Sequence, residues 1–312
     1  LGKRPFFFAY FLFLGHTFWY NVVNNFGCEL NMSHFFNFLK GIIVGIATLV
    51  PGMSGGTMAI ILGIYDKIIN AVGKFFKNIR ENLLFLLFMG LGAGAGILLF
   101  SNIVTFALEH ARHATIFLFL GIIAGGFPPL LDKAGIRVSG EEDGGIKAKD
   151  VALFLLGAAI VMAMSSSKTA VIDLASSEGI VNMVFMLFAG FVSAIALVLP
   201  GISGSFFLLT IGLYDITMEA INELNFSYLI PFAAGIALGT ILTVKAVENL
   251  LRKYPRGTYS IILGFVIGSM IQIFMENIPS GWEILFSVLA AAAGVLITLG
   301  VQRLCRKLNI EE

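Results

Sequence analysis

Two short stretches carry the residue types best suited to handling an anion inside an apolar chain. They are Pro51-Gly52-Met53-Ser54-Gly55-Gly56-Thr57 and Pro200-Gly201-Ile202-Ser203-Gly204-Ser205-Phe206. In each, a Pro-Gly pair stops a helix, a serine follows, and small residues lead into the next apolar run. Proline removes a backbone donor and clashes with the preceding turn. The serine stands where it can cap the helix that restarts. The glycines let backbone N–H groups approach a ligand closely. A helix start offers free N–H donors and roughly half a positive charge, which suits a phosphate or carboxylate. Ser54, Gly55, Gly56 and Thr57, with Ser203, Gly204 and Ser205, are therefore expected to contact an anion through N–H and hydroxyl groups. Pro51, Gly52, Pro200 and Gly201 are the breaks that place them. A single copy reads better as a kinked, packed helix with a silent cap; two copies in inverted repeats favour binding.

The surroundings of these stretches are a membrane protein's. Of 312 residues, 58% are hydrophobic and 12% charged, against about 25% charged in soluble domains. Mean hydropathy is +0.92. This excludes a soluble enzyme, a disordered chain and a nucleic-acid binder with a basic face. A net charge of +1 points to no partner, and two cysteines with no metal spacing point to no metal and no cofactor. Charge-free runs cover 41–65, 82–108, 114–131, 151–167, 179–214, 224–244, 257–275 and 284–302. About 20 apolar residues cross a bilayer as a helix. Runs 41–65 and 179–214 are each broken by Pro-Gly. Broken backbone is tolerated at membrane depth only inside protein or along a wet cavity. Both read as re-entrant hairpins, leaving six full spans: 82–108, 114–131, 151–167, 224–250, 257–275 and 284–302. This layout puts 15 of the 20 Lys and Arg residues on one side, with Arg112 and Lys168 opposite. The rich side is expected to be cytoplasmic, with the C-terminus.

The two broken stretches are parts of a longer internal repeat. The motifs echo at an offset of 149, and the echo continues through Gly63-Ile64-Tyr65-Asp66 and Gly212-Leu213-Tyr214-Asp215. A second block at an offset of 143 pairs Gly92 with Gly235, Gly96 with Gly239, Gly121 with Gly264 and Gly125 with Gly268. Three spans separate the hairpins, so the second repeat is expected upside down. The flanks agree: charges just after the first hairpin sum to +2 and those after the second to −3. The fold expected is an all-α polytopic membrane protein of two inverted repeats, each a re-entrant hairpin plus three transmembrane helices. That is a secondary-transporter architecture.

The boundaries follow. Residues 1–37 form an N-terminal extension and 38–137 repeat 1. A polar cytoplasmic linker covers 138–150, and 151–178 hold the last span of repeat 1 with an external loop. Repeat 2 is 179–304, and 305–312 a cytoplasmic tail. Within the extension, a span at 5–23 would put Lys40 on the wrong side. Sequence upstream of a start at Met32, a signal peptide without a small-residue cleavage site and an interfacial segment are the readings open, the first preferred. Glycines 90, 92, 94 and 96, with 235 and 239, read as close-packing faces. Lys245, one turn before Glu248, is a candidate charge partner for a ligand, or a snorkelling lysine. His110, Arg112 and His113 read as a solvated external loop rather than a headgroup-receiving patch.

The motif at 51–57 with Gly63-Ile64-Tyr65 resembles a bacterial membrane family once known as a domain of unknown function and now assigned as polyprenyl-phosphate transporters. The likeness runs from about Phe38 to Leu304. It implies a multi-pass protein of the bacterial plasma membrane that moves undecaprenyl phosphate, or a similar polyprenyl phosphate, between leaflets to recycle the lipid carrier of cell-wall sugars. The tips also look like the Pro-Gly-x-Ser-Arg-Ser motif of undecaprenyl pyrophosphate phosphatases. Gly55 and Gly204 stand at the arginine position, and no glutamate pair lies in the early spans, so binding without cleavage is expected. Two alternatives remain. One is a small-anion channel or transporter. The other is an intramembrane phosphatase or a serine hydrolase built on Gly52-Met53-Ser54-Gly55. A serine nucleophile needs a base in reach, and His16, His34, His110 and His113 all fall outside the core spans of this layout.

Overall fold

The computed structural model describes residues 32–50, 53–136, 147–166 and 180–307, and every regular element among them is an α-helix. The protein is an all-α polytopic membrane protein. In the first half, α1 (Met32–Thr48) leads to the first motif, followed by α2 (Gly55–Ile61) and α3 (Tyr65–Gly73). Then come α4 (Ile79–His110), α5 (Arg112–Gly125), α6 (Phe127–Lys133) and α7 (Ala148–Ser166). The second half repeats the order: α8 (Ile180–Val198), α9 (Gly204–Thr210), α10 (Tyr214–Asn222), α11 (Phe226–Lys253), α12 (Pro255–Glu276) and α13 (Glu283–Lys307). Among the described residues, five stretches are long and apolar enough to cross a membrane: α4, Arg112–Lys133, α11, α12 and the first 18 residues of α13. Helices start and stop close to the expected spans. Residues 137–146, most of the expected linker, lie outside the described residues; Asp150 sits in the first turn of α7.

Each hairpin has one more break than the Pro-Gly pair implied. Between α2 and α3 the chain bends by 115°. Gly63 there has φ +70, and Gly212 between α9 and α10 has φ +74. The bonding at both is a Schellman ending. Gly63 N–H donates to the Ile60 carbonyl and Ile64 N–H to Ala59; Gly212 N–H donates to Leu209 and Leu213 N–H to Leu208. Ile64 and Leu213, the residues just beyond, are buried and anchor each turn. The echoed Gly-(Ile/Leu)-Tyr-Asp is thus a helix stop followed by a helix start. At 1.5 Å per residue, the seven-residue α2 and α9 are each about 10 Å long, a third of the hydrocarbon thickness of about 30 Å.

The long helices pack in four pairs: α1 on α4, α8 on α11, α5 on α13 and α7 on α12. Exchanging the halves turns the first pair into the second and the third into the fourth. Glycines make every seam. A Cβ added at Gly41, Gly45, Gly92 or Gly96 would overlap a backbone carbonyl oxygen of the facing helix (Met89, Ala93, Phe38 and Ile42). The α8–α11 seam uses Gly190, Gly235 and Gly239, the α5–α13 seam Gly121 and Gly294, and the α7–α12 seam Gly157 and Gly264 in the same way. Lipid gives no hydrophobic drive between helices, so close backbone approach and dispersion must hold them. The glycine face of α4 is narrower than its sequence suggested. Gly90 and Gly94, on the other side of the helix, would meet nothing within 4 Å.

Gly92→Ala and Gly235→Ala should each destabilise the protein by about 1–3 kcal/mol, the usual cost of overpacking. Gly90→Ala should be neutral or slightly stabilising. Melting curves of the three purified variants in one detergent check this.

Candidate functional site

The first tip is capped as expected. Ser54 is the N-cap of α2, its Oγ accepting the Gly56 N–H at 3.1 Å, and it is buried. Gly55 opens α2, where a Cβ would press on Thr48 and Val44. Pro51 and Gly52 lie outside the described residues. The second tip follows α8. Pro200 is buried, and Gly201 has φ +82, which favours glycine. Ser203 precedes α9, and Gly204 opens it against Leu197. Ser205 lies within α9, and its side chain is outside the described residues.

The two tips touch. Gly201 N–H donates to Thr57 Oγ1 at 2.9 Å in a buried contact. Gly56 sits against the backbone of Pro200, where an added Cβ would come within 3.3 Å. Tyr65, at the start of α3, donates its hydroxyl to the Val198 carbonyl at 3.2 Å. The first motif and its helix stop are thereby stitched to the end of α8 and the second tip. The same stitch cannot be made in reverse, because Phe206 stands where Thr57 would.

One side of this junction borders a cavity, and the other is fastened by side-chain contacts. A cavity of about 300 Å³ reaches the second tip at Gly201, Ile202 and Ser203. Its walls are Ile116, Val161, Met164, Leu209 and Ile273, and its polar groups come from Arg112, Ser203, Ser269, Gln272, Glu276 and Asn277. The first tip does not line it. On the opposite face Asp66 of α3 is tied down. Tyr259 donates its hydroxyl to the Asp66 carboxylate at 2.6 Å, and Lys133 Nζ reaches Asp66 at 2.7 Å and the Tyr259 hydroxyl at 3.1 Å. Beside it Arg256 pairs with buried Asp150 at 2.6 Å, and Lys74 pairs with Glu248 at 3.1 Å, fastening α3 to α11. By the repeat offsets, Asp66, Lys133 and Tyr259 correspond to Asp215, Glu276 and Ile116. Two carboxylates and an isoleucine cannot reproduce that latch. Glu276 and Ile116 line the cavity instead.

A family model described as undecaprenyl phosphate translocase-like matches residues 9–133 and 44–284. The chain belongs to that family. The first match begins inside the segment 1–37. The polyprenyl-phosphate transporter of Staphylococcus aureus is 31% identical over 278 residues, 85% of this chain and 95% of the relative. That of Vibrio cholerae serotype O1 is 26% identical over 269 residues, 81% of this chain and 82% of the relative. No solved structure matches.

For this translocase-like chain, the structure sorts the candidates unevenly. Thr57 and Gly56 meet Pro200-Gly201 at the junction, and Ser203 faces the cavity. Lys245 is exposed on α11 and outside the cavity, and its neighbour Glu248 binds Lys74. His34 stacks on Phe88, His110 on Phe106, and His113 pairs with Glu283 at 3.0 Å. His16 lies outside the described residues. Sequence reasoning missed the Asp66–Tyr259–Lys133 latch, although Tyr-Asp was a repeated pair. It also set Arg112 aside as a loop residue, though Arg112 opens α5 and lines the cavity.

Thr57→Val keeps the side chain's shape but leaves the buried Gly201 N–H without an acceptor, a cost of about 1–3 kcal/mol. Thr57→Ser should retain most of the stability. Chemical or thermal unfolding of both variants in detergent decides it.

Proposed function

We propose that this protein moves a polyprenyl phosphate, undecaprenyl phosphate or a close relative, between leaflets without cleaving it. The observation that carries the reading is the cavity at the second tip. Its walls are apolar and its polar groups cluster at the tip and at the far end of α12, so it suits an amphiphile better than a bare anion. The phosphate is taken up by backbone N–H groups and hydroxyls at Ser203, Gly204 and Ser205, and the first isoprene units lie along Ile116, Met164 and Leu209. The names of the relatives and of the family support the substrate class.

In this reading the two tips work in turn. In the present state the second tip lines the cavity at Ser203, Ser54 and Thr57 of the first tip are buried, and the Asp66 latch is shut. The packing scheme survives exchange of the halves, which supports inverted repeats and a second state in which Ser54, Gly55, Gly56 and Thr57 are reached from the other side. The Lys/Arg-rich, latched face is the cytoplasmic one in a bacterial plasma membrane, and the cavity opens outward. Exposed ion pairs such as Asp66–Lys133 contribute about 0–1 kcal/mol, so the latch can open on a transport timescale.

Sealed vesicles carrying a polyprenyl phosphate test this directly. Headgroup should become accessible from the opposite leaflet with no inorganic phosphate released. Phosphate release would make the protein a phosphatase. Absence of both signals from folded protein would turn the assignment to small anions. The double variant Ser54→Ala/Ser203→Ala should slow transport at least tenfold while melting within a few degrees of wild type. In intact cells, Cys at position 203 should react with a membrane-impermeant maleimide from outside, and Cys at position 54 should not.

A further inference from the structure

Neither tip carries a cation, so the transport reading leaves the headgroup's charge unanswered. The cavity supplies the answer at its other end. Arg112, the first residue of α5, lines it, and its Nε donates to Asn277 Oδ1 at 3.0 Å. Asn277 is buried, and its own amide donates to the Ile273 carbonyl at 2.8 Å. The asparagine is thus fixed with its oxygen toward the arginine. Using Nε for that bond leaves the two terminal amino groups of the guanidinium for a ligand, the fork that matches two oxygens of a phosphate. Ser203, Ser269 and Gln272 border the same space. Lysine in the same place would be a point charge without that geometry.

Few charges border the site among the described residues. Glu276, on the same helix as Asn277, lines the cavity, is exposed, and accepts the Gln272 amide at 3.1 Å. His113, next to Arg112, is engaged by Glu283. Among the described residues, Arg112 is the one full positive charge lining the cavity and Glu276 the one carboxylate.

We infer that Arg112, oriented by Asn277, is the residue that receives the phosphate monoester headgroup of the lipid at the cavity mouth, before the headgroup reaches the second tip. This rests on the transport reading above and names the residue that recognises the charge. Arg112 binds the ligand; Asn277 is a positioning residue.

The test uses the purified full chain with two probes, farnesyl phosphate and its uncharged counterpart farnesol, and with inorganic phosphate as competitor. Arg112→Gln should lose at least tenfold in affinity for farnesyl phosphate and keep its affinity for farnesol. Arg112→Lys, which keeps the charge if the glutamine variant folds poorly, should fall between. Asn277→Ala should reduce the phosphate-over-alcohol preference several-fold, a change that a purely structural defect would not produce. Glu276→Gln should bind farnesyl phosphate as tightly as wild type or tighter. Equal affinity of the wild type and Arg112→Gln for farnesyl phosphate would overturn the assignment. So would inorganic phosphate competing as well as the lipid does. Arg112-dependent binding by a protein that moves no lipid in vesicles would sink the transport reading and leave the assignment standing. Lipid movement that Arg112→Gln leaves intact would do the reverse.

Discussion

Close backbone contact through glycine is the constraint on which this molecule depends. Water drives helices together in soluble proteins; lipid does not, and dispersion over a tight seam must serve instead. All four long helix pairs solve this the same way, with glycines facing carbonyl oxygens of the partner helix. The seams do more than hold the bundle. The arms leading to the two tips, α1 and α8, are pinned by Gly41, Gly45, Gly92 and Gly96 on one side and by Gly190, Gly235 and Gly239 on the other. Moving either seam would move the tip at its end. The contact between Thr57 and Gly201 is fixed from that distance.

Upon this nearly symmetric frame sit a few residues that break the symmetry. Thr57 accepts a bond from the second tip, and its counterpart Phe206 has no hydroxyl to return one. Asp66, Lys133 and Tyr259 make a latch whose counterparts Asp215, Glu276 and Ile116 cannot. Two of those counterparts, Glu276 and Ile116, line the cavity instead. A repeat copied without change would leave two equivalent faces. These substitutions make them unequal: a latch fastens one face and a cavity borders the tip at the other.

Much of this was legible in the chain. The spans were visible because charge is expelled from lipid-facing helices, and their ends fell near Glu81, Glu109 and Arg252, as the structure places them. The Pro-Gly breaks and the repeat were visible because backbone chemistry constrains residue type: few residues other than glycine tolerate the φ of Gly63, Gly201 or Gly212. The second break in each hairpin was present in the echo at Gly63 and Gly212 but read as part of a motif rather than as a helix stop. The polar partners were harder. Asp66 meets Tyr259 across 193 positions and Arg112 meets Asn277 across 165. No local pattern announces such pairs. Lys245 drew notice because it interrupts an apolar run, yet its side chain is exposed; interruption alone does not say which way a residue faces.

The junction of the tips also has an electrical consequence. Between the cavity at Ser203 and the latched face at Asp66 stand the tip contact and the short α2, about 10 Å of helix, with the latch beyond them. A transmembrane voltage falls mainly across the part of a protein that excludes water, and a cavity on one side of the tips shortens that part. Carrying one elementary charge through that field involves about 2.3 kcal/mol per 100 mV. A phosphate passing the tips alone would therefore do work on the membrane potential, or have work done on it, within a path of a few residues. If the headgroup crosses at the tips with its charge, the rate of transport should carry the signature of the field.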